Sequence, residues 1–173
     1  FIGETGVGKT SLLKRATEGI FDENIKLTVG MNITTREVSQ GEWKAILQIW
    51  DLGGQIRFRD LVQSYFKGAH LAIAVFDVTS LFSMDRLHEW IRNIRDAEGQ
   101  ELPVIVVGNK IDLRDAMPSS YKVVATEEGQ EFAKQYNAPY IEASAKDGRG
   151  VDRIFEEVTR ILAERHPTPK TPI

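Results

Sequence analysis

The sequence predicts a three-layer α/β fold, a mostly parallel sheet with helices on both faces, from three observations. Uninterrupted apolar runs alternate with amphipathic helical stretches, a glycine-rich loop joins a strand tail to a helix, and two extended segments flank a turn composition. Apolar runs without polar alternation mark strands covered on both faces, which is the condition of a parallel sheet between helix layers.

The elements follow in order. Phe1-Ile2 reads as the tail of a first strand, and the chain opens there without a methionine, as expected of a trimmed start. A helix over 10–18 carries Leu12, Leu13 and Ala16 and closes near Gly19. Segments 31–38 and 44–51 are extended around Ser39-Gln40-Gly41-Glu42, the pattern of a β-hairpin. A short helical stretch at 59–67 precedes the apolar run 69–76. A helix with Leu87, Trp90, Ile91 and Ile94 on one face, the run 104–107, a helix over 127–136 and the strand Tyr140-Ile141-Glu142 come next. The last helix places Val151, Ile154, Phe155, Val158, Ile161 and Leu162 at helical spacing. One domain over 1–165 and an extended tail over 166–173, with three prolines in eight residues, complete the expectation.

Composition excludes several function classes. With 42% hydrophobic and 27% charged residues the chain is an ordinary globular sequence. A net charge of -3 with dispersed Lys and Arg leaves no footprint for sequence-independent nucleic-acid binding. Cysteine is absent, so thiolate metal sites, disulfides and cysteine nucleophiles are excluded. No apolar run approaches the roughly 18 residues of a membrane span. His70, His88 and His166 lack metal-ligand spacing and read as structural or solvated.

Chemistry is carried first by Gly3-Glu4-Thr5-Gly6-Val7-Gly8-Lys9-Thr10, a G-x-x-x-x-G-K-T string that follows a strand and opens a helix. Its glycines let backbone N–H groups close around phosphate, and the helix N-terminus adds positive potential. Lys9 would bridge the terminal phosphates and Thr10 would place its hydroxyl on Mg²⁺. The base is chosen by Asn109-Lys110-Ile111-Asp112 at the carboxyl end of a parallel strand. The Asp112 carboxylate accepts from the ring N–H and exocyclic amine of guanine, donors that adenine lacks on that edge. An unpaired polar group in such a site discriminates by roughly 10⁴-fold. As a bare string this motif also describes a solvated strand-end loop; its position after a phosphate loop gives it weight. Asp51 ends the strand Ala45-Ile46-Leu47-Gln48-Ile49-Trp50 and suits a Mg²⁺ shell through water, or a hairpin-end turn. Gly54 suits an N–H approach to the γ-phosphate, and Gln55 orientation of the attacking water.

In this order the motifs resemble the Ras superfamily of small GTPases over essentially the whole chain. Within it the closest likeness is to Rab, through Thr28-Val29-Gly30-Met31-Asn32-Ile33, Leu47-Gln48-Ile49-Trp50-Asp51, Arg57-Phe58-Arg59, Tyr65-Phe66-Lys67-Gly68-Ala69 and Phe76-Asp77-Val78-Thr79. The resemblance implies a P-loop NTPase fold with a six-stranded, mostly parallel sheet and one antiparallel edge strand, binding GTP or GDP with Mg²⁺. It implies catalytic roles for Gln55, Lys9, Thr28 and Gly54, and Mg²⁺ ligation by Thr10, Thr28 and Asp51. The implied nucleotide contacts are Glu4, Thr5, Gly6, Val7, Gly8, Lys9, Thr10 and Ser11 in the phosphate loop and Phe21 against the guanine ring. Asn109, Lys110 and Asp112, with Ser144, Ala145 and Lys146, complete the base site, the Ala145 N–H directed at the guanine carbonyl and the two lysines flanking the ring. The chain departs from the common pattern at Gly53, where an Arf-like Gly-Gly replaces Ala-Gly and suggests a more mobile switch II, at Ile25 in place of a tyrosine, and at Thr5.

Such proteins hydrolyse GTP at on the order of 10⁻⁴ per second alone, and a partner's arginine adds about 10⁵-fold. A GAP, an exchange factor and effectors are therefore expected, the effectors on Ile33, Trp50 and Tyr65, with Trp43 a further exposed aromatic. The expected molecule is a cytoplasmic monomer acting in trafficking or signalling, peripheral to membranes if a prenylated C-terminus follows. The competing readings are a GTP-loaded scaffold that does not hydrolyse and a P-loop ATPase or kinase.

Overall fold

In the computed structural model, residues 1–54, 66–118 and 121–167 are described. Three strands, β3 (Ala72–Asp77), β4 (Val104–Asn109) and β5 (Tyr140–Ala143), run parallel in that order, with Ala74 opposite Val106 and Val107 opposite Ile141. Two more, β1 (Met31–Gln40) and β2 (Trp43–Leu52), form the expected antiparallel hairpin, longer than its sequence signal and closed by Gly41-Glu42 alone.

The two ladders meet at Phe1-Ile2. Ile2 bridges Ala74 in parallel, giving its N–H to Ile73 and taking one from Val75, both at 2.9 Å, while the Leu52 N–H reaches the Phe1 carbonyl at 3.5 Å. The expected single six-stranded sheet is thus a two-stranded and a three-stranded ladder joined by one bridge. Directly after Ile2 the backbone leaves the extended region, at Gly3 with a φ of 134°, so the described pairing between them ends at that one bridge.

Helix α1 (Lys9–Glu18) follows the glycine loop, α2 (Leu81–Glu98) is capped by the Ser80 hydroxyl on the Ser83 N–H, and α4 (Thr126–Lys134) and α5 (Val151–Arg165) match their apolar spacing. Between them α3 (Ile111–Ala116) has only six residues, too few to show a period, and the sequence did not reveal it. The stretch 59–65 and the tail 168–173 lie outside the described residues.

Strand alternation builds the two outer layers. Ala72, Ala74, Phe76, Val104 and Val106 face one way, onto Leu87, Trp90, Ile91 and Ile94 of α2 and Phe132 of α4. Ile73, Val75, Ile105, Val107 and Ile141 face the other, onto Leu12 and Leu13 of α1 and Ile154, Phe155 and Val158 of α5. Every residue of β4 is buried, as a strand between two layers must be. Each fully buried Leu or Ile here contributes about 2–5 kcal/mol against truncation to Ala. Trp43, expected as an exposed turn aromatic, is half-buried instead: its indole donates to the His166 carbonyl at 2.9 Å and its ring packs on the second cluster.

A polar tie joins α3, α4 and β5. Arg114 grips Glu142 with both terminal nitrogens, at 2.7 and 2.8 Å, while Thr126 and Tyr140 donate to the same carboxylate at 2.9 and 3.1 Å. Burial pushes the Glu142 carboxyl up, but the bonds from Arg114, Thr126 and Tyr140 outweigh it and hold it below the ordinary carboxylate value. A lowered carboxyl stabilises the fold fully above the unfolded value and loses that contribution as pH falls through the folded one. Glu142→Gln is therefore expected to be less stable than the native chain at pH 7, by about 1–3 kcal/mol. The gap should close as pH falls below the ordinary carboxylate range, read by urea unfolding of both proteins across that window.

Candidate nucleotide site

The carboxyl ends of β4 and β5 and the glycine loop after Ile2 open into one groove of about 370 Å³, within the ordinary range for small-molecule sites. The groove gathers Thr5, Gly6, Gly8, Lys9, Thr10 and Ser11 from the loop, Phe21, Ile25 and Thr28 from the segment before β1, and Gly53-Gly54 after β2. Asn109, Lys110, Asp112, Ala145 and Lys146 close it on the far side.

At the loop, Gly8 precedes α1 with a φ of 97°, and a Cβ there would run into the Asn109 amide, so both backbone shape and contact require glycine. Lys9 is 6% exposed, and its ammonium donates to the Gly3 and Glu4 carbonyls, both at 2.8 Å. Burial lowers its pKa to about 8, against the attraction of Asp51 and Glu4. A buried ammonium at the first residue of a helix reached through a glycine loop is an anion-binding arrangement.

Beside it the Thr10 hydroxyl lies 2.7 Å from that of Thr28 and donates to Asp51 Oδ2 at 2.5 Å. Asp51 is fully buried, and among the described residues its Oδ1 has no hydrogen-bond partner. Two hydroxyls and a carboxylate with a spare buried oxygen form a hard-oxygen donor set that fits Mg²⁺. Gly54 abuts the phosphate loop so closely that a Cβ would overlap Thr5 N and Glu4 C, and the Gly53 N–H donates to the Gly30 carbonyl at 2.8 Å. The double glycine is thus seated between the phosphate loop and the segment carrying Thr28.

At the far end Asn109, 1% exposed, donates to the Val7 carbonyl at 2.8 Å and accepts the Ala145 N–H at 3.3 Å. Ser144 is buried and donates to Asp112 Oδ1 at 2.7 Å, and Asp112 lines the groove. Lys110, with a φ of 69°, pairs with Asp77 at 2.7 Å, and exposed Lys146 with Glu23 at 3.1 Å. Phe21 is half-buried, lining the groove and packing against the second core cluster.

The model of the Ras family matches residues 1–164. The chain belongs to the Ras family. Its relatives include the Ras-related protein SEC4 of Candida albicans, in strain WO-1 and others, 34% identical over 165 residues that cover 95% of this chain and 76% of that protein. It is a Rab-like small GTPase of the Ras superfamily.

Not every anticipated residue faces this Ras-family groove. Val7 is 2% exposed and its side chain joins the core; Ser144 acts through Asp112; and Glu4 turns away to accept the Trp90 indole N–H at 2.9 Å. Asp51 lies beneath the groove rather than on its wall. Gln55 and Tyr65 lie outside the described residues. Sequence reasoning missed Arg15, Asp77 and Trp90, whose partners are distant in the chain and leave no local signal.

Asn109→Ala would strip the Val7 carbonyl and the Ala145 N–H of their shared partner. Each orphaned group costs about 1–3 kcal/mol, so a fall in melting temperature and an accelerated loss of bound GDP are expected together, read by calorimetry and by fluorescent-GDP release.

Proposed function

We propose that this chain is a GTP-binding switch that hydrolyses GTP slowly and recruits effectors in the GTP state, acting in membrane trafficking or signalling. The observation that carries the reading is the single groove holding Lys9, the Thr10–Thr28–Asp51 oxygens and Asp112. The GTPase domain spans 1–165, with 166–173 as an extended tail, and the molecule acts as a monomer.

In this reading the phosphate-loop N–H groups and Lys9 take the negative charge of the triphosphate, Phe21 supports the guanine ring between Lys110 and Lys146, and Asp112 accepts from its N–H and amine. Mg²⁺ held by Thr10, Thr28 and Asp51 would neutralise phosphate charge. Water attacks the γ-phosphorus in line, the bond to the β-bridging oxygen breaks, and GDP retains that oxygen. Gln55, next after Gly54, aims the water. No arginine stands three residues before Thr28, so a GAP supplies the missing positive charge.

Thr28 and the Gly54 N–H are the γ-phosphate sensors. Losing that phosphate frees the segments around them, and effectors read the difference. Ile33 and Trp50 are cross-strand partners in the hairpin, so they share one face, with Ile33 41% exposed. That face, with Tyr65, is the proposed effector surface, and an exchange factor would act on the same switch segments. No helix among the described residues is long and apolar enough to cross a membrane, and association with one would be peripheral.

GTP is expected to displace a bound fluorescent guanine nucleotide and ATP to fail; equal competition would remove the guanine reading. Asp112→Asn should shift preference toward xanthine nucleotides. In single-turnover assays with Mg²⁺ the native chain should hydrolyse GTP measurably and Gln55→Leu at least tenfold more slowly. Indistinguishable rates near zero, even with GAP present, would instead establish the non-hydrolysing scaffold.

A further inference from the structure

We infer that Arg15 is a positioning residue for the guanine base, gripping the base loop from behind and presenting its peptide N–H groups to the groove; this rests on the guanine-nucleotide reading above. Arg15 stands on α1, six residues after Lys9, and does not line the groove. Its guanidinium donates from all three nitrogens to backbone carbonyls: Nε to Ala145 at 2.8 Å, Nη2 to Lys146, and Nη1 to Gly19 at 2.7 Å. Two of these partners lie 130 and 131 residues away, in the loop between β5 and α5.

The geometry has a direct consequence for the groove. The peptide between Ala145 and Lys146 is trans, so its N–H points opposite to its carbonyl. With the carbonyl held on Arg15, that N–H is turned away from Arg15, while Ala145 and Lys146 themselves line the groove. A base carbonyl at the purine 6-position needs such donors, and the second, Ala145 N–H, is shared with Asn109. Arg15 therefore fixes the base loop to the same rigid helix whose first turn carries Lys9 and Thr10, and sets the separation of the phosphate and base ends. Only a planar fork reaches two successive carbonyls and the helix cap together, which a lysine does not reproduce.

The Gly19 bond alone would make Arg15 a helix cap, which predicts a general loss of stability and no preference among nucleotides. The test separates the two by crossing Arg15→Ala with atoms of the ligand. GDP, 6-thio-GDP, whose sulfur is a poorer acceptor at the same position, and IDP, which lacks only the 2-amino group, are displaced from native and variant proteins.

Arg15→Ala is expected to raise the GDP dissociation rate on the order of tenfold, the loss of a charge-assisted bond. Its preference for GDP over 6-thio-GDP should shrink severalfold, while its preference for GDP over IDP, which belongs to Asp112, stays native. Arg15→Lys should show the same pattern, and carries the test if the alanine variant does not fold. An unchanged GDP rate, or an equal loss for all three nucleotides, overturns the inference. A native chain that binds ATP as well as GTP would overturn instead the guanine reading on which it rests.

Discussion

The Asn109 side chain is where the two ends of the groove are held to one another. Its amide takes the Val7 carbonyl in the phosphate loop with the N–H side and the Ala145 N–H in the base loop with the oxygen side. Asn109 ends β4, every residue of which is buried, so it is anchored in the core of the sheet. Gly8 belongs to the same constraint, since any side chain there would displace the amide. Arg15 ties the loop after β5 to α1 from behind, and Arg114 with Glu142 ties α3 to β5. The two ends of the groove are thus built from segments far apart in sequence that these bonds tie to one another.

Electrostatics divide the groove. Its phosphate end concentrates a buried ammonium and a buried carboxylate a few residues of space apart, each costly to desolvate alone. Burial drives Lys9 toward its neutral form, and Asp51 and Glu4 pull it back. Glu4 is kept from the groove itself by Trp90, with Arg86 3.7 Å away, so its charge steadies Lys9 without lying in the path of a phosphate. At the base end a half-buried pair, Lys110 with Asp77, and an exposed one, Lys146 with Glu23, flank the half-buried Asp112, which a neutral hydroxyl orients.

Gly53 sharpens the point. Read as sequence, a second glycine beside Gly54 suggested added mobility. In the structure its N–H is bonded to Gly30 and its open face lies against the Thr28 and Gly30 carbonyls. The missing side chain admits the segment carrying Thr28 close against the end of β2.

What the sequence determined by itself was whatever is written in short-range pattern. The glycine loop, the 109–112 motif after an apolar strand, the hairpin and the four longer helices depend on neighbours within a few residues, and each was legible because glycine, periodicity and alternation are local properties. The sheet's division into two ladders, the six-residue α3, the burial of Trp43, the turning of Glu4 and Val7 from the groove and the clamp by Arg15 were decided by tertiary structure. The outcomes at Glu4, Trp43 and Arg15 are set by partners 86 to 131 residues away, at Trp90, His166, Ala145 and Lys146. An arginine on a helix carries no mark of which distant carbonyls it will meet, because only packing the helix against the sheet brings them within hydrogen-bond reach.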